Sequence, residues 1–334
     1  MPRRNQDLDE DDVRVRPGRG KSRPRSKERP SHDDAAEGVV TTVDRGRLTS
    51  LVGAGTDERE VVAMKARELG RKGVVVGDRV ALVGDLSGQH DSLARIVRVE
   101  PRTSILRRSA DDTDPVERAI VANADQLAIV TALADPEPRP RLIDRCLVAA
   151  YDAGMRPLLI LTKADLASPK QLLQTYSTLD MAYVVTQRGD DLSELRERLR
   201  GRTTVFVGHS GVGKSTLVNT LVPGADRAIG RVNAVTGRGR HTSSSAIALR
   251  LPDHDGWVVD TPGVRSFGLA HVDPARVIHA FPDLEAGTAE CPRGCSHDEP
   301  ECALDEWVAS GHADPARLQS LRRLLRTREG TEND

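Results

Sequence analysis

The chain has 334 residues, of which 38% are hydrophobic and 30% charged, and its 49 Lys and Arg nearly balance 50 Asp and Glu. This length indicates two or three domains with an ample core, and a formal net charge of −1 means that any affinity for nucleic acid must come from local basic patches. Aromatic residues make up only 2%, which argues against a platform for stacked bases. Apolar runs are far too short to cross a bilayer and the charged start lacks a secretory signal, so we expect a cytoplasmic protein without membrane contact.

The N-terminal part of the chain divides into a charged segment and a strand-rich segment. Residues 1–38 contain almost nothing apolar and cannot offset the entropy of ordering, so we predict a disordered charged tail. From 39 to 108, short runs such as Val39–Val43 and Val80–Val83 alternate with turns that contain Gly. About five short strands predict a small closed barrel, with an OB-like fold as the leading candidate. Its basic residues suit a face that binds RNA, and a plain structural barrel is the alternative.

From residue 109 to 270 the pattern changes to alternating strands and helices. Gln126–Thr131 and Pro157–Leu161 are apolar enough for buried strands, and an amphipathic helix over residues 141–150 separates them. This alternation predicts a doubly wound, mostly parallel α/β sheet. The second strand runs directly into Thr162–Asp165, which therefore lies at the carboxyl edge, where such sheets bind ligands.

The tetrapeptide Thr162-Lys163-Ala164-Asp165 has the [NT]-K-x-D pattern that reads guanine in GTPases. An ionised carboxylate only accepts hydrogen bonds, and guanine offers two adjacent donors at N1 and N2 where adenine offers none. We predict that Asp165 accepts both bonds while the stem of Lys163 lies along the base. Thr at the first position replaces the more common Asn, which leaves one loop-bracing contact open.

Residues 208–216 form a P-loop pattern, G-x-x-x-x-G-K-[ST], between an apolar strand and a predicted helix. The glycines allow successive N–H groups to surround the α- and β-phosphates, and the helix dipole adds favourable charge. Lys214 is predicted to bridge the β- and γ-phosphates, and the Ser215 hydroxyl to ligate Mg²⁺. His209 is interpreted as a spacer. The predicted nucleotide-binding residues of the loop are Gly208, His209, Ser210, Gly211, Val212, Gly213, Lys214, Ser215 and Thr216.

The segment after the P-loop carries the predicted switch. Residues 230–245 are rich in Gly, Arg, Ser and Thr, and Thr242 is our candidate for a second hydroxyl ligand of Mg²⁺. The D-x-x-G element that follows places Asp260 to hold a water on Mg²⁺, and the N–H of Gly263 near the γ-phosphate. Val264 comes next, where many GTPases carry a Gln that orients water. We therefore select His241 as the candidate that orients the attacking water.

The order of these elements is unusual. In ordinary small GTPases the base-reading element follows the P-loop and the D-x-x-G element, whereas here it precedes both. The predicted domain is therefore circularly permuted. Motion of the switch would pull directly on the chain from Val264 onward.

Three of the four cysteines belong to the pattern Cys291-x₃-Cys295-x-His297-x₄-Cys302. Four such ligands close together suit a tetrahedral Zn²⁺ site, with one ion per chain. Residues 271–334 have little core of their own, so we expect the metal to hold this helical zinc-binding domain together. The arginines of its last helix, near residues 315–328, are predicted to be either solvated or in contact with rRNA phosphates.

A permuted GTPase between a small barrel and a Cys/His cluster resembles the ribosome small-subunit-dependent GTPase A (RsgA) family. The resemblance rests on residues 75–80, 162–165, 208–216, 240–242 and 260–265 and on the cysteine cluster. It implies GTP hydrolysis stimulated by the 30S subunit during its late maturation. The implied partners of the monomer are GTP or GDP, the 30S subunit and 16S rRNA. The family's metal pattern is C-x₄-C-x-H-x₅-C, so both loops are one residue shorter here.

Two other functions stay open on the sequence. One is a permuted GTPase that acts on a different partner, such as the large subunit, and the barrel with the cysteine cluster argues against it. The other is a non-catalytic RNA-binding protein that holds nucleotide as a structural ligand, and the complete Mg²⁺ and phosphate motifs argue against that. Turnover with and without 30S and 50S subunits separates the three.

Overall fold

The structure, a computed structural model, describes residues 32–44, 46–70, 73–108, 118–225, 246–252, 255–261, 269 and 272–328. Most of the predicted tail and the whole predicted switch lie outside these residues. No helix in the described ranges is both long and apolar enough to cross a membrane.

A barrel is formed by five strands: β1 (Ala36–Asp44), β2 (Arg47–Val52), β3 (Arg59–Lys65), β4 (Arg79–Gly84) and β5 (Ala94–Val99). It closes because β1 pairs with both β2 and β4, in the order β1-β2-β3-β5-β4. Alternate residues point inward, and the barrel core includes Val40, Val61 and Leu82. The predicted five-strand barrel is confirmed, although β1 takes in the last residues of the segment predicted as a tail.

A hairpin of β6 (Ile105–Arg108) and β7 (Arg118–Ala122) follows the barrel. The predicted barrel range 39–108 includes β6, but among the described strands β6 pairs with β7 alone, and its Leu106 belongs to a core shared with the parallel sheet. The barrel is fixed to this hairpin by a turn in which buried Asp78 accepts hydrogen bonds of 2.6 and 2.8 Å from Arg102. Only glycine fits at Gly77 in this turn, because a Cβ there would lie 2.0 Å from the carbonyl oxygen of Ala122.

The parallel sheet contains six strands: β8 (Gln126–Ala132), β9 (Arg156–Thr162), β10 (Ala182–Val185), β11 (Arg202–Gly208), β12 (Ile247–Arg250) and β13 (Gly256–Asp260). They lie in the order β10-β9-β8-β11-β13-β12, and only β12 runs antiparallel to its neighbour β13. This arrangement follows from the near-continuous apolar strands, which are buried on both faces.

Helices cover both faces of the parallel sheet. They are α1 (Pro140–Asp152), α2 (Lys170–Thr175), α3 (Ser193–Leu199) and α4 (Lys214–Leu221). Ile143 and Leu147 of α1 pack into the core on one face, and Leu195 of α3 packs into the core on the other. This is the doubly wound arrangement that the sequence predicts. Helix α2 ends at Thr175, because the chain turns at Tyr176, whose ring is buried.

The barrel and the parallel sheet form one continuous sheet of 11 strands. They join where β1 of the barrel pairs antiparallel with β12, with Thr42 opposite Ile247. The barrel therefore covers the edge that β12 would otherwise expose.

The C-terminal part contains α5 (Pro274–Ile278), α6 (Pro282–Glu285), α7 (Ala303–Ala309) and α8 (Pro315–Arg328). Buried leucines, including Leu321 and Leu324, line one side of α8. The arginines predicted to be solvated or bound to rRNA form ion pairs within the protein wherever their side chains are described. Arg326 is nevertheless 63% exposed, as the solvated alternative predicts. The pairs are Arg317–Asp283, Arg322–Asp305, Arg323–Asp144 and Arg326–Asp298.

Candidate nucleotide and metal sites

The P-loop connects the end of β11 to the start of α4. Gly211 and Gly213 adopt φ values of 84° and 90°, a left-handed conformation that favours glycine. Gly208 lies so close to β8 that a Cβ there would approach the carbonyl oxygen of Val130 to 2.5 Å. These glycines let the loop turn tightly against the sheet and present its N–H groups at the amino end of α4. That end of a helix attracts phosphate.

Lys214 and Asp260 meet at the predicted phosphate end of the site. Their side chains form an ion pair, and each is only 11% exposed. Asp260 is the last residue of β13, and the Thr261 hydroxyl that follows donates a 2.7 Å hydrogen bond to the Phe206 carbonyl of β11. The first half of the D-x-x-G element is therefore fixed beside the P-loop, and Ser215 lies exposed at the start of α4.

Thr162, in the predicted base-reading turn, braces the P-loop. Its hydroxyl donates a 2.6 Å hydrogen bond to the Val212 carbonyl, and both residues are buried. Threonine replaces the more common Asn at this position, which left one loop-bracing contact open. The Thr162 hydroxyl makes that contact. The sequence motif alone did not show this, because Val212 is distant in the chain.

Lys163 and Asp165 sit in the turn after β9. Lys163 has a positive φ of 57°, and its ammonium group contacts the backbone carbonyl of Asp135 in the loop between β8 and α1. The N–H of Ala164 donates a 3.2 Å hydrogen bond to the Thr186 carbonyl at the end of β10. Asp165 is exposed, with its carboxylate open to a ligand. Sequence reasoning missed the part played by Asp135, because no motif marks that loop.

Of the other predicted nucleotide-site residues, His209 is described by the structure, and three residues are not. The ring of His209 lies 2.9 Å from the carbonyl oxygen of its neighbour Ser210, so its Nδ1 contacts its own loop. His241, Thr242 and Gly263 lie outside the described residues.

The C-terminal cluster brings Cys291, Cys295, His297 and Cys302 together, with their ligand atoms all within 4.8 Å of one another. Cys291 Sγ lies 3.9 Å from Cys302 Sγ and 3.7 Å from His297 Nδ1. Ligands on a tetrahedral zinc ion with Zn–S bonds of about 2.3 Å are separated by roughly 3.8 Å. The spacing and the sulfur and nitrogen donors therefore fit Zn²⁺.

The pKa shifts of two residues in the cluster act in opposite directions on metal binding. Burial, assisted by a hydrogen bond to Glu299, raises the pKa of the Cys295 thiol to about 11, so metal binding must displace its proton. Burial lowers the pKa of His297, which favours the neutral imidazole that ligates metal. Arg322 of α8 donates a 2.9 Å hydrogen bond to the His297 carbonyl and holds the loop in place.

Residues 99–270 match the RsgA GTPase family. A small ribosomal subunit biogenesis GTPase RsgA from Ectopseudomonas mendocina is 41% identical over 262 residues, which cover 75% of this chain and 74% of the relative. A protein of the same name from Gemmatimonas aurantiaca is 36% identical over 258 residues, which cover 75% of this chain and 83% of the relative.

Two solved structures share the fold. YjeQ from Thermotoga maritima has a TM-score of 0.64 and 26% identity, covering 89% of this chain and 99% of the other. YloQ, described as a circularly permuted GTPase, has a TM-score of 0.62 and 22% identity, covering 92% and 99%. The permuted fold predicted from motif order is confirmed.

Proposed function

The chain belongs to the RsgA GTPase family, and we propose that it hydrolyses GTP during biogenesis of the small ribosomal subunit. The observation that carries this proposal is the meeting of three elements at one edge of the sheet. The hydrogen bond from Thr162 to Val212 links the base-reading turn to the P-loop, and the Lys214–Asp260 ion pair links the P-loop to the D-x-x-G element.

We propose that guanine binds at Thr162–Asp165. The exposed Asp165 carboxylate accepts the N1 and N2 donors of the base, while Lys163, anchored by the Asp135 carbonyl, lies along its face. The backbone of residues 208–216 surrounds the phosphates. With nucleotide bound, Lys214 exchanges its contact with Asp260 for the β- and γ-phosphate oxygens.

The proposed magnesium site uses hard oxygen donors at the same edge. Ser215 and Thr242 would ligate Mg²⁺ through their hydroxyls, and Asp260 would hold the ion through a bound water. The ion neutralises charge on the β- and γ-phosphates when bound. His241 orients the attacking water, and Gly263 senses the γ-phosphate; both roles rest on the sequence.

The proposed domains are a tail (1–38), a barrel (39–108), a permuted GTPase (109–270) and a zinc-binding helical domain (271–334). The C-terminal cluster holds one structural Zn²⁺, which the spacing of its four donors supports. The partners are the 30S subunit and its 16S rRNA, and the protein acts as a cytoplasmic monomer. GTP hydrolysis is slow alone and rises on the order of 10³–10⁵-fold when the subunit completes the site.

The proposal is tested by measuring phosphate release from GTP and from ATP, with and without ribosomal subunits. We expect turnover of GTP but not ATP, with strong stimulation by purified 30S subunits and little by 50S subunits. The His241→Ala variant should keep GTP affinity and lose stimulated turnover. A preference for ATP, or stimulation by 50S subunits alone, would overturn the proposed function.

A further inference from the structure

Three residues form a row across adjacent strands that runs from the barrel to the phosphate site. Thr42 of β1 lies opposite Ile247 of β12, and Ile247 lies opposite Asp260 of β13. Asp260 in turn contacts Lys214 of the P-loop. Because neighbouring strands are about 4.8 Å apart, the barrel strand lies only about 10 Å from the strand that carries Asp260. We name Thr42, Ile247 and Asp260 the junction row.

β1 pairs with strands of both the barrel and the parallel sheet. Its first residues, Ala36–Val39, pair with β4 and close the barrel. The pairing of β1 with β2 then shifts between Val40 and Thr42, and this irregularity precedes the pair between Thr42 and Ile247. A bulge bends a strand and changes its direction. Here it lets β1 leave the barrel wall and reach β12.

An ion pair fixes the other end of β12 to the barrel. Arg250, the last residue of β12, contacts the Glu58 carboxylate, which lies just before β3. The two side chains are only 30% and 17% exposed, so solvent screens the pair weakly. The guanidinium carbon also lies 5.1 Å above the ring centre of Trp257 on β13. We name Glu58 and Arg250 the junction ion pair.

We infer that the barrel regulates hydrolysis through the junction row, with the junction ion pair as its positioning contact. This inference rests on the proposed function and on the RNA-binding face that the sequence predicts for the barrel, because it states how a subunit bound there acts on the phosphate site. A shift of the barrel moves β12, β12 moves β13, and β13 carries Asp260 toward or away from the P-loop. Both strands are packed in the core, so displacement at one edge is passed on rather than absorbed.

Four substitutions test the inference. Glu58→Gln and Arg250→Gln each remove the ion pair, and Arg250→Lys keeps the positive charge. Glu60→Gln makes the same charge change at an exposed position of β3 and serves as the control. For each variant, GTP affinity, unstimulated turnover, 30S affinity and turnover at saturating 30S are measured, with thermal unfolding as the check of folding.

We expect Glu58→Gln and Arg250→Gln to lower the ratio of stimulated to unstimulated turnover by about fivefold or more, as a coupling contact should. Unstimulated turnover and GTP affinity should stay within about twofold of the unmodified protein. Arg250→Lys should keep most of the stimulation, and Glu60→Gln all of it. A purely structural contact would instead lower all activities together with the melting temperature.

The outcomes separate this inference from the proposed function. If the unmodified protein is not stimulated by 30S subunits, the proposed function fails, and this inference with it. If the unmodified protein is stimulated and Glu58→Gln keeps the full ratio, only the inference fails. Should Arg250→Gln not fold, Glu58→Gln still decides, because Glu58 lies outside the parallel sheet.

Discussion

Replacing Thr162 by valine tests whether the base-reading turn braces the P-loop. Valine keeps the branched shape that suits the end of β9 and removes only the hydroxyl, which donates a 2.6 Å hydrogen bond to the Val212 carbonyl. Val212 is 3% exposed, so water cannot easily replace the lost donor. A buried carbonyl that loses its donor costs about 1–3 kcal/mol. If that cost falls on the ordered loop, GTP and GDP should both bind about 5–150-fold more weakly.

The assay is a fluorescence titration with labelled GTP and GDP, accompanied by thermal unfolding. Thr162→Ser keeps the hydroxyl and should bind nearly as well as the unmodified protein. Thr204→Val is the matched control, because it removes a fully buried hydroxyl that bonds Gln126 near the opposite end of β11. It should lower stability without weakening nucleotide binding. Unchanged affinity in a folded Thr162→Val variant would refute the bracing role.

Three further predictions concern the base, the metal and a buried carboxylate. Asp165→Asn should weaken GTP far more than xanthosine triphosphate, and equal losses in the two titrations would remove Asp165 from base recognition. Cys302→Ser should abolish the one zinc per chain measured by atomic absorption and lower the melting temperature by about 5 °C or more, whereas Cys146→Ala should leave zinc content unchanged. Burial, partly offset by Arg323, raises the pKa of Asp144 to about 6. Because an unfolded Asp titrates near 3.9, the folded state binds more protons between about pH 4 and 6, so stability should increase as pH falls from 7.5 to 5.5. The Asp144→Asn variant should lose much of that rise in melting temperature, and an identical rise in both proteins would argue against the assignment.

Local patterns were sufficient for the elements that depend on neighbouring residues. The strand and helix around the P-loop, and the strand that ends at Asp260, all occur where the sequence predicts them. They could be predicted because hydrophobic periodicity and turn residues are features of short stretches of sequence. The permutation could also be read from motif order alone. The sequence likewise predicts that Cys291, Cys295, His297 and Cys302 lie together, and their four ligand atoms do so in the structure.

Contacts between distant segments could not be read in this way. Nothing near Thr42 indicates that it pairs with Ile247, and nothing near Asp135 indicates that its carbonyl receives Lys163. The ion pairs of the α8 arginines could not be predicted from the sequence either. A row of arginines on one helix looks like an RNA-binding surface in sequence, and only the fold reveals that carboxylates from four different segments reach them.

The arginines of α8 form ion pairs with acidic residues from four other segments of the protein. These arginines pair with Asp144 on α1, Asp283 on α6, Asp298 beside the Cys/His cluster and Asp305 on α7. Truncating the chain ahead of Pro315 would therefore leave four acidic groups without their cations in one step. It would also uncover the core against which the leucines of α8 pack. Loss of these final residues should damage distant parts of the molecule together, and shortening the chain at this end is a far harsher change than its position suggests.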